Sequence, residues 1–187
     1  MPHHASDHVA NAPSIRTLLW VIGAAFVLHE FEEWNLVSWL AANFEPEPAF
    51  SDRDARTLLA LFASLGFAFT ALSASLLSIR GALFAVLPLF IAVFLGNALT
   101  HIAWAVYFQG YAPGVATSAL LLVPLIFYLL ARALQERLVP LWFAAPLLVL
   151  AAVQPIGAIL SGRTLSGPQL SLQHFGTWLG SYLWGAA

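Results

Sequence analysis

Five long apolar runs decide what this chain can fold into. They fall at about residues 15–43, 57–79, 81–109, 113–132 and 139–160, each near or above the ~20 residues that a helix needs to cross a bilayer. No soluble interior could absorb them. The chain has 187 residues, 60% hydrophobic and only 9% charged, against about 25% charged in soluble domains. So short a chain hides too small a share of its surface from water, and lipid must cover the rest. Within lipid, backbone groups have to be satisfied inside each segment, and the runs lack the alternation of barrel strands, so each is read as a helix. The expected fold is an all-α, polytopic integral membrane helix bundle. A polar tail at 1–14 precedes one transmembrane domain at 15–187 with five spans. The last segment, 168–187, carries Trp178, Tyr182 and Trp184; aromatic residues of this kind favour the headgroup region, so it is interfacial, re-entrant or a sixth helix.

The connections are short except for Phe44 to Arg56, which mixes prolines and acids. There Ser51 or Asp52 is placed to cap the second helix, with Asp54 in its first turn. Pro88 and Pro124 fall inside spans, where proline kinks a helix and frees carbonyls. Net charge is −2 without a basic tract, which excludes nucleic acid as a partner. Cysteine is absent, so disulfides and thiolate metal sites are excluded too. All seven basic residues are arginines. Arg16, Arg80, Arg132 and Arg137 fall on the side where the first helix starts, and Arg53, Arg56 and Arg163 on the other, which places the N-terminus in the cytoplasm. His3, His4 and His8 are read as a solvated tail rather than a metal-gathering arm.

One stretch contradicts its surroundings. His29-Glu30-Phe31-Glu32-Glu33 lies inside the first apolar run, where an ionisable side chain near the bilayer centre costs roughly 2.5–3.5 kcal/mol. Three acids and a histidine there must share protons, pair, or hold a metal. With about 100° per residue and His29 at zero, Glu32 lies near −60° and Glu33 near +40°, on one face, with Glu30 near +100° at its edge. In the third run Asn97 and His101 are again four apart. His29 and Glu33 stand about 14 and 18 residues from the start of their run, Asn97 and His101 about 16 and 20 from theirs. At 1.5 Å per residue the two pairs share one depth. Thr117, Ser118, Gln154 and Ser64 fall near that level, each otherwise read as a polar residue bonded to its own helix backbone.

His29-x-x-Glu32-Glu33 resembles the signature of the HXXEE-motif family, bacterial integral membrane proteins of uncharacterised function. Asn97 matches an asparagine of that family, and Tyr111-Ala-Pro113-Gly114-Val-Ala-Thr117 matches its Tyr-x-Pro-Gly-x-x-Thr motif. The resemblance covers roughly the first four helices and implies a bacterial membrane protein, here assigned to the inner (plasma) membrane. It implies no reaction, which has to come from the residues.

His29, Glu33 and His101 are the expected ligands of a divalent metal, zinc, iron or manganese, since two imidazoles and a carboxylate suit these ions. Glu32 and Glu30 are the candidates for general base or for an acceptor behind the metal, and Tyr111 is a further catalytic candidate. Asn97, Thr117 and Gln154 are candidates to orient the substrate. A site at membrane depth points to an enzyme acting on a lipid or isoprenoid-like, apolar or amphipathic molecule. The alternatives are a metal-free acid–base enzyme, a small transporter or proton relay using the buried carboxylates, and a polar knot that only fixes helix packing.

Overall fold

The computed structural model is described at residues 12–46, 48, 50–165 and 167–185, except for the side chain of 168. His3, His4 and His8 lie outside the described residues. Among these residues the chain forms helices and no strands. We number them α1 (Ile15–Glu32), α2 (Leu36–Asn43), α3 (Asp52–Leu76), α4 (Ile79–Tyr107), α5 (Val115–Gln135), α6 (Leu141–Ser161) and α7 (Gly167–Trp184). Four of them, α3 to α6, are long and apolar enough to cross a membrane. α1 is apolar through most of its 18 residues but carries Arg16, Glu30 and Glu32.

Local chemistry sets the helix starts. Ser14 caps α1 by accepting from the Thr17 amide at 3.1 Å. Ser51, rather than Asp52, caps α3, and Asp54 answers it in a reciprocal capping box. The first expected run is not one helix. α1 stops at Glu32, and Glu33–Asn35 tightens into a 3₁₀ turn before α2 begins.

α4 is the central element. Leu83, Val86, Leu87, Phe90, Ile91, Phe94 and Leu95 are all buried. Phe94 stacks on Phe26 of α1 with ring centroids 3.5 Å apart, and Gly66 of α3 leaves room for both rings. α1 packs most extensively on α3, and α6 on the second half of α4. Pro88 lies within α4, where the helix type changes. Lacking an N–H, it opens a π-helical stretch, Pro88–Leu95. Gln154 of α6 donates to the Ala92 carbonyl there at 2.7 Å. Gly96 permits this approach, since a Cβ at that position would lie 2.4 Å from Gln154 Nε2. A second π-helical stretch, Ser118–Leu122, precedes Pro124 in α5.

The arginines gather at the two ends of the bundle. At one end Arg16 bonds the Ala74 and Leu77 carbonyls, Arg80 reaches Arg137 O and Arg132 reaches Pro13 O. At the other, Arg56 donates to Trp34 O, and Arg163 O accepts from the Glu45 amide. α7 packs along α3 through Gly176 and Gly180 and leaves Trp178, Tyr182 and Trp184 exposed.

Candidate functional site

The C-terminal end of α1, the second half of α4 and the start of α5 meet around one buried carboxylate oxygen. Glu33 Oε1 lies 2.8 Å from His29 Nε2 and 2.9 Å from His101 Nε2. Asn97 Nδ2 stands 3.0 Å from His29 Nε2 and donates to the same Glu33 oxygen at 3.2 Å. His29, Glu33 and His101 are all buried. The two imidazole rings are nearly perpendicular, with centroids 5.1 Å apart. The shared depth expected from residue counting is realised: the two i, i+4 pairs face one another across the α1–α4 contact.

Glu32 does something different. About 100° round the helix from Glu33, its carboxylate reaches the first turn of α5 instead of the imidazoles. It accepts from Ala116 N at 3.0 Å, Thr117 N at 2.8 Å, Thr117 Oγ1 at 2.6 Å and Tyr111 Oη at 2.7 Å. The first N–H groups of a helix lack intrahelical partners and carry the positive end of its dipole, so a carboxylate is well placed there. Tyr111 lies outside the spanning helices. Partial desolvation, then the bond to Glu32 and its charge, push the phenol up to about 12, so it remains a donor at ordinary pH.

Thr117 links the two arrangements. Its hydroxyl has one proton to give. Donated to Glu32, it leaves the oxygen to accept from His29 Nδ1 at 2.9 Å. The Nδ1 proton then fixes the His29 tautomer and turns Nε2 toward Glu33. A bare nitrogen lone pair and a carboxylate oxygen 2.8 Å apart repel unless a cation, a proton or a metal, stands between them.

Gly114 roofs the cluster. It adopts a left-handed conformation (φ 86°), and a Cβ there would fall 2.8 Å from His29 Cε1, 3.1 Å from His101 Nδ1 and 3.2 Å from Glu33 Cγ. Trp39 Nε1 secures the same loop by donating to Tyr111 O at 2.9 Å. The Tyr-Ala-Pro-Gly-Val-Ala-Thr segment and His-x-x-Glu-Glu thus form one structure: Tyr111 holds Glu32, Gly114 packs on His29, and Thr117 joins Glu32 to His29.

Glu30, Gln154 and Ser64 do not join this cluster. Glu30, at the edge of the same face, lines a neighbouring groove against α3, and so does Ser64. Gln154 is engaged with the α4 backbone. Trp104, one turn past His101, went unnoticed in the sequence. Its ring packs edge-on against His101 at 5.2 Å, a neighbourhood its i, i+3 spacing signals. Three buried atoms around the site, His101 Nδ1, Trp104 Nε1 and Ser118 Oγ, have no hydrogen-bond partner.

These features define a membrane-type helical protein built around a buried His/Glu cluster, and His29, Glu33 and His101 could together hold a metal ion. Residues 20–129 match the family described as "Protein of unknown function with HXXEE motif". This is more than half of the chain, and the protein belongs to that family. Comparison with curated proteins and with solved structures finds no significant match.

Proposed function

We propose that this cluster is a divalent-metal centre within the membrane, and that the protein is an enzyme acting on a lipid or isoprenoid-like substrate. The observation that carries the reading is the convergence of His29 Nε2, His101 Nε2 and Glu33 Oε1 at one buried point, with His29 oriented from behind by Thr117. Three such ligands suit zinc, iron or manganese and leave a coordination position open. An ion there would supply Lewis acidity or, with iron, redox chemistry.

The chain's own residues hold the donors in place. Glu32 fixes Thr117, Thr117 sets the His29 tautomer, and Asn97 orients the Glu33 carboxylate. An outer partner of this kind typically changes metal affinity by about 10–100-fold. A tetrahedral site with ~2.0–2.1 Å bonds has ligand atoms about 3.3 Å apart. Here the donors lie 2.8 and 2.9 Å from Glu33 Oε1, so loading spreads them by a few tenths of an ångström. Burial of all three ligands favours delivery of the substrate from the membrane. Four arginines on the side where α1 starts, Arg16, Arg80, Arg132 and Arg137, against three on the other, favour a cytoplasmic N-terminus, in a bacterial plasma membrane.

Those same short distances favour a second reading, in which a proton rather than a metal sits between His29 and Glu33, serving acid–base catalysis or proton relay. Elemental analysis of protein purified without a metal-affinity tag separates the two. The metal reading expects about one equivalent of one ion in the wild type, lost in His101→Ala and in Glu33→Gln. A metal-free wild type after supplementation would transfer the assignment to proton chemistry, to be followed by proton flux in vesicles.

A further inference from the structure

Beside the cluster, where α1 meets α3, lies a second polar feature that the metal centre does not use. A groove of about 310 Å³ runs between α1 and α3, lined by Val27, Phe31, Leu59, Ala60, Ala63 and Phe67. This volume is at the lower end of small-molecule sites. Glu30 faces into it with only 4% of its surface exposed, and its Oε2 atom is buried with no hydrogen-bond partner. Trp34, one turn nearer the end of the bundle, completes the lining. Arg56 stands over the Trp34 ring at 5.5 Å and donates to its carbonyl, so this cation is committed to the groove's rim. Phe31 is 62% exposed and opens the groove outward, toward lipid in a membrane.

A carboxyl group taken out of water without a partner is costly. The ligand that satisfies it must be apolar over most of its length and bring one small polar group. A hydroxyl suits this place best, because it both donates and accepts and therefore pairs with the carboxyl in either protonation state. An ammonium group can only donate and would bring a full charge into an apolar groove, and a phosphate would bring negative charge against the acid.

We propose that the Glu30 groove binds a single-chain lipid alcohol, its hydroxyl on Glu30 and its chain against Val27 and Phe67. This site is distinct from the His29–Glu33–His101 cluster and stands whether or not that cluster holds a metal.

The test is photo-crosslinking in nanodiscs with a long-chain alcohol bearing a diazirine on its chain, the label being mapped by mass spectrometry. A methyl ether of the same chain, which cannot donate, serves as control. Labelling of α1 and α3 groove residues, competed by unlabelled alcohol and weaker with the ether, is expected. Glu30→Leu should cut labelling about tenfold, the equivalent of one net hydrogen bond of ~1.4 kcal/mol, while Glu30→Gln retains most of it. Ala60→Trp, a substitution at an exposed position, should abolish labelling by filling the groove. Equal labelling of wild type, Glu30→Leu and Ala60→Trp, or of alcohol and ether, would overturn the proposal. Running His101→Ala in parallel separates the sites: labelling should persist there even if the metal is lost.

Discussion

Two neighbouring flanks of α1, one toward α4 and α5 and one toward α3, carry the same chemistry and treat it in opposite ways. On one side, Glu32 and Glu33 meet hydroxyls, amides and imidazoles at 2.6–3.2 Å. On the other, Glu30 is just as hidden from solvent, and its Oε2 has no partner at all. Burial of an acid therefore says little about its role. The partners do: a carboxylate surrounded by donors is already engaged, whereas one left bare in an apolar groove is available to a ligand.

That contrast is broken most severely by exchanging the fates of the two acids. Glu32→Ala removes the acceptor of four donors in the first turn of α5 and its loop. Hydrogen bonds to a charged group are worth about 1.5–3 kcal/mol each, but the exposed ones among these are compensated by water. A net loss of about 2–3 kcal/mol in detergent unfolding is expected, together with a 10–100-fold fall in metal affinity as Thr117 and His29 lose their orientation. Glu30→Leu should leave metal content unchanged and stability equal or higher, since an unsatisfied polar group is replaced by an apolar one. If both variants cost the same, the distinction between engaged and available acids fails.

Gly114→Ala addresses the engaged side alone. The left-handed conformation costs a residue with a Cβ about 1–2 kcal/mol, and the added methyl sits 2.8 Å from His29 Cε1. His29 must move, so a tenfold or larger fall in metal affinity is expected by isothermal titration. Gly110→Ala in the same loop is the control. Its nearest neighbour would be Phe108 O at 3.8 Å, and it should bind metal as the wild type does. Matching affinities in the two variants would mean that the roof does not touch the ligands.

How far the sequence reaches follows from the same residues. Apolar run length gave the last four runs as single helices with ends within about five residues, because lipid allows a 20-residue apolar segment only one solution, whereas the first run divides into α1 and α2. Equal depth along parallel helices brought His29 and Glu33 to Asn97 and His101, since rise per residue is fixed. Angle around the helix was less secure. The helical wheel put Glu32 and Glu33 on one face, but the step of about 100° between them is enough to send Glu33 to the imidazoles and Glu32 to the first turn of α5. Glu30 at the wheel's edge was assigned to the site and belongs to the groove. Gln154 shares the site's depth but is spent on the Ala92 carbonyl. Ala92 lies in the π-helical stretch Pro88–Leu95, a feature that depth cannot reveal.

The smallest effect concerns how firmly Glu32 is held. Tyr111 is exposed, yet its phenol is pushed up to about 12 while it donates to Glu32. A group whose folded value lies above its unfolded one, near 10 for tyrosine, stabilises fully below the unfolded value and loses that contribution as pH rises through the folded one. Stability should therefore be flat up to about pH 10 and decline between about 10 and 12. Tyr111→Phe should start slightly lower and lack this component of the decline. Ultraviolet titration of tyrosinate, wild type minus Tyr111→Phe, isolates one of the four tyrosines. A difference signal centred near 12 supports a closed Glu32–Tyr111 pair. One centred near 10 would mean the phenol is free in solution and that Glu32 depends on Thr117 and the α5 amides alone. The engaged side of α1 would then be smaller than drawn here, confined to the groups that reach His29.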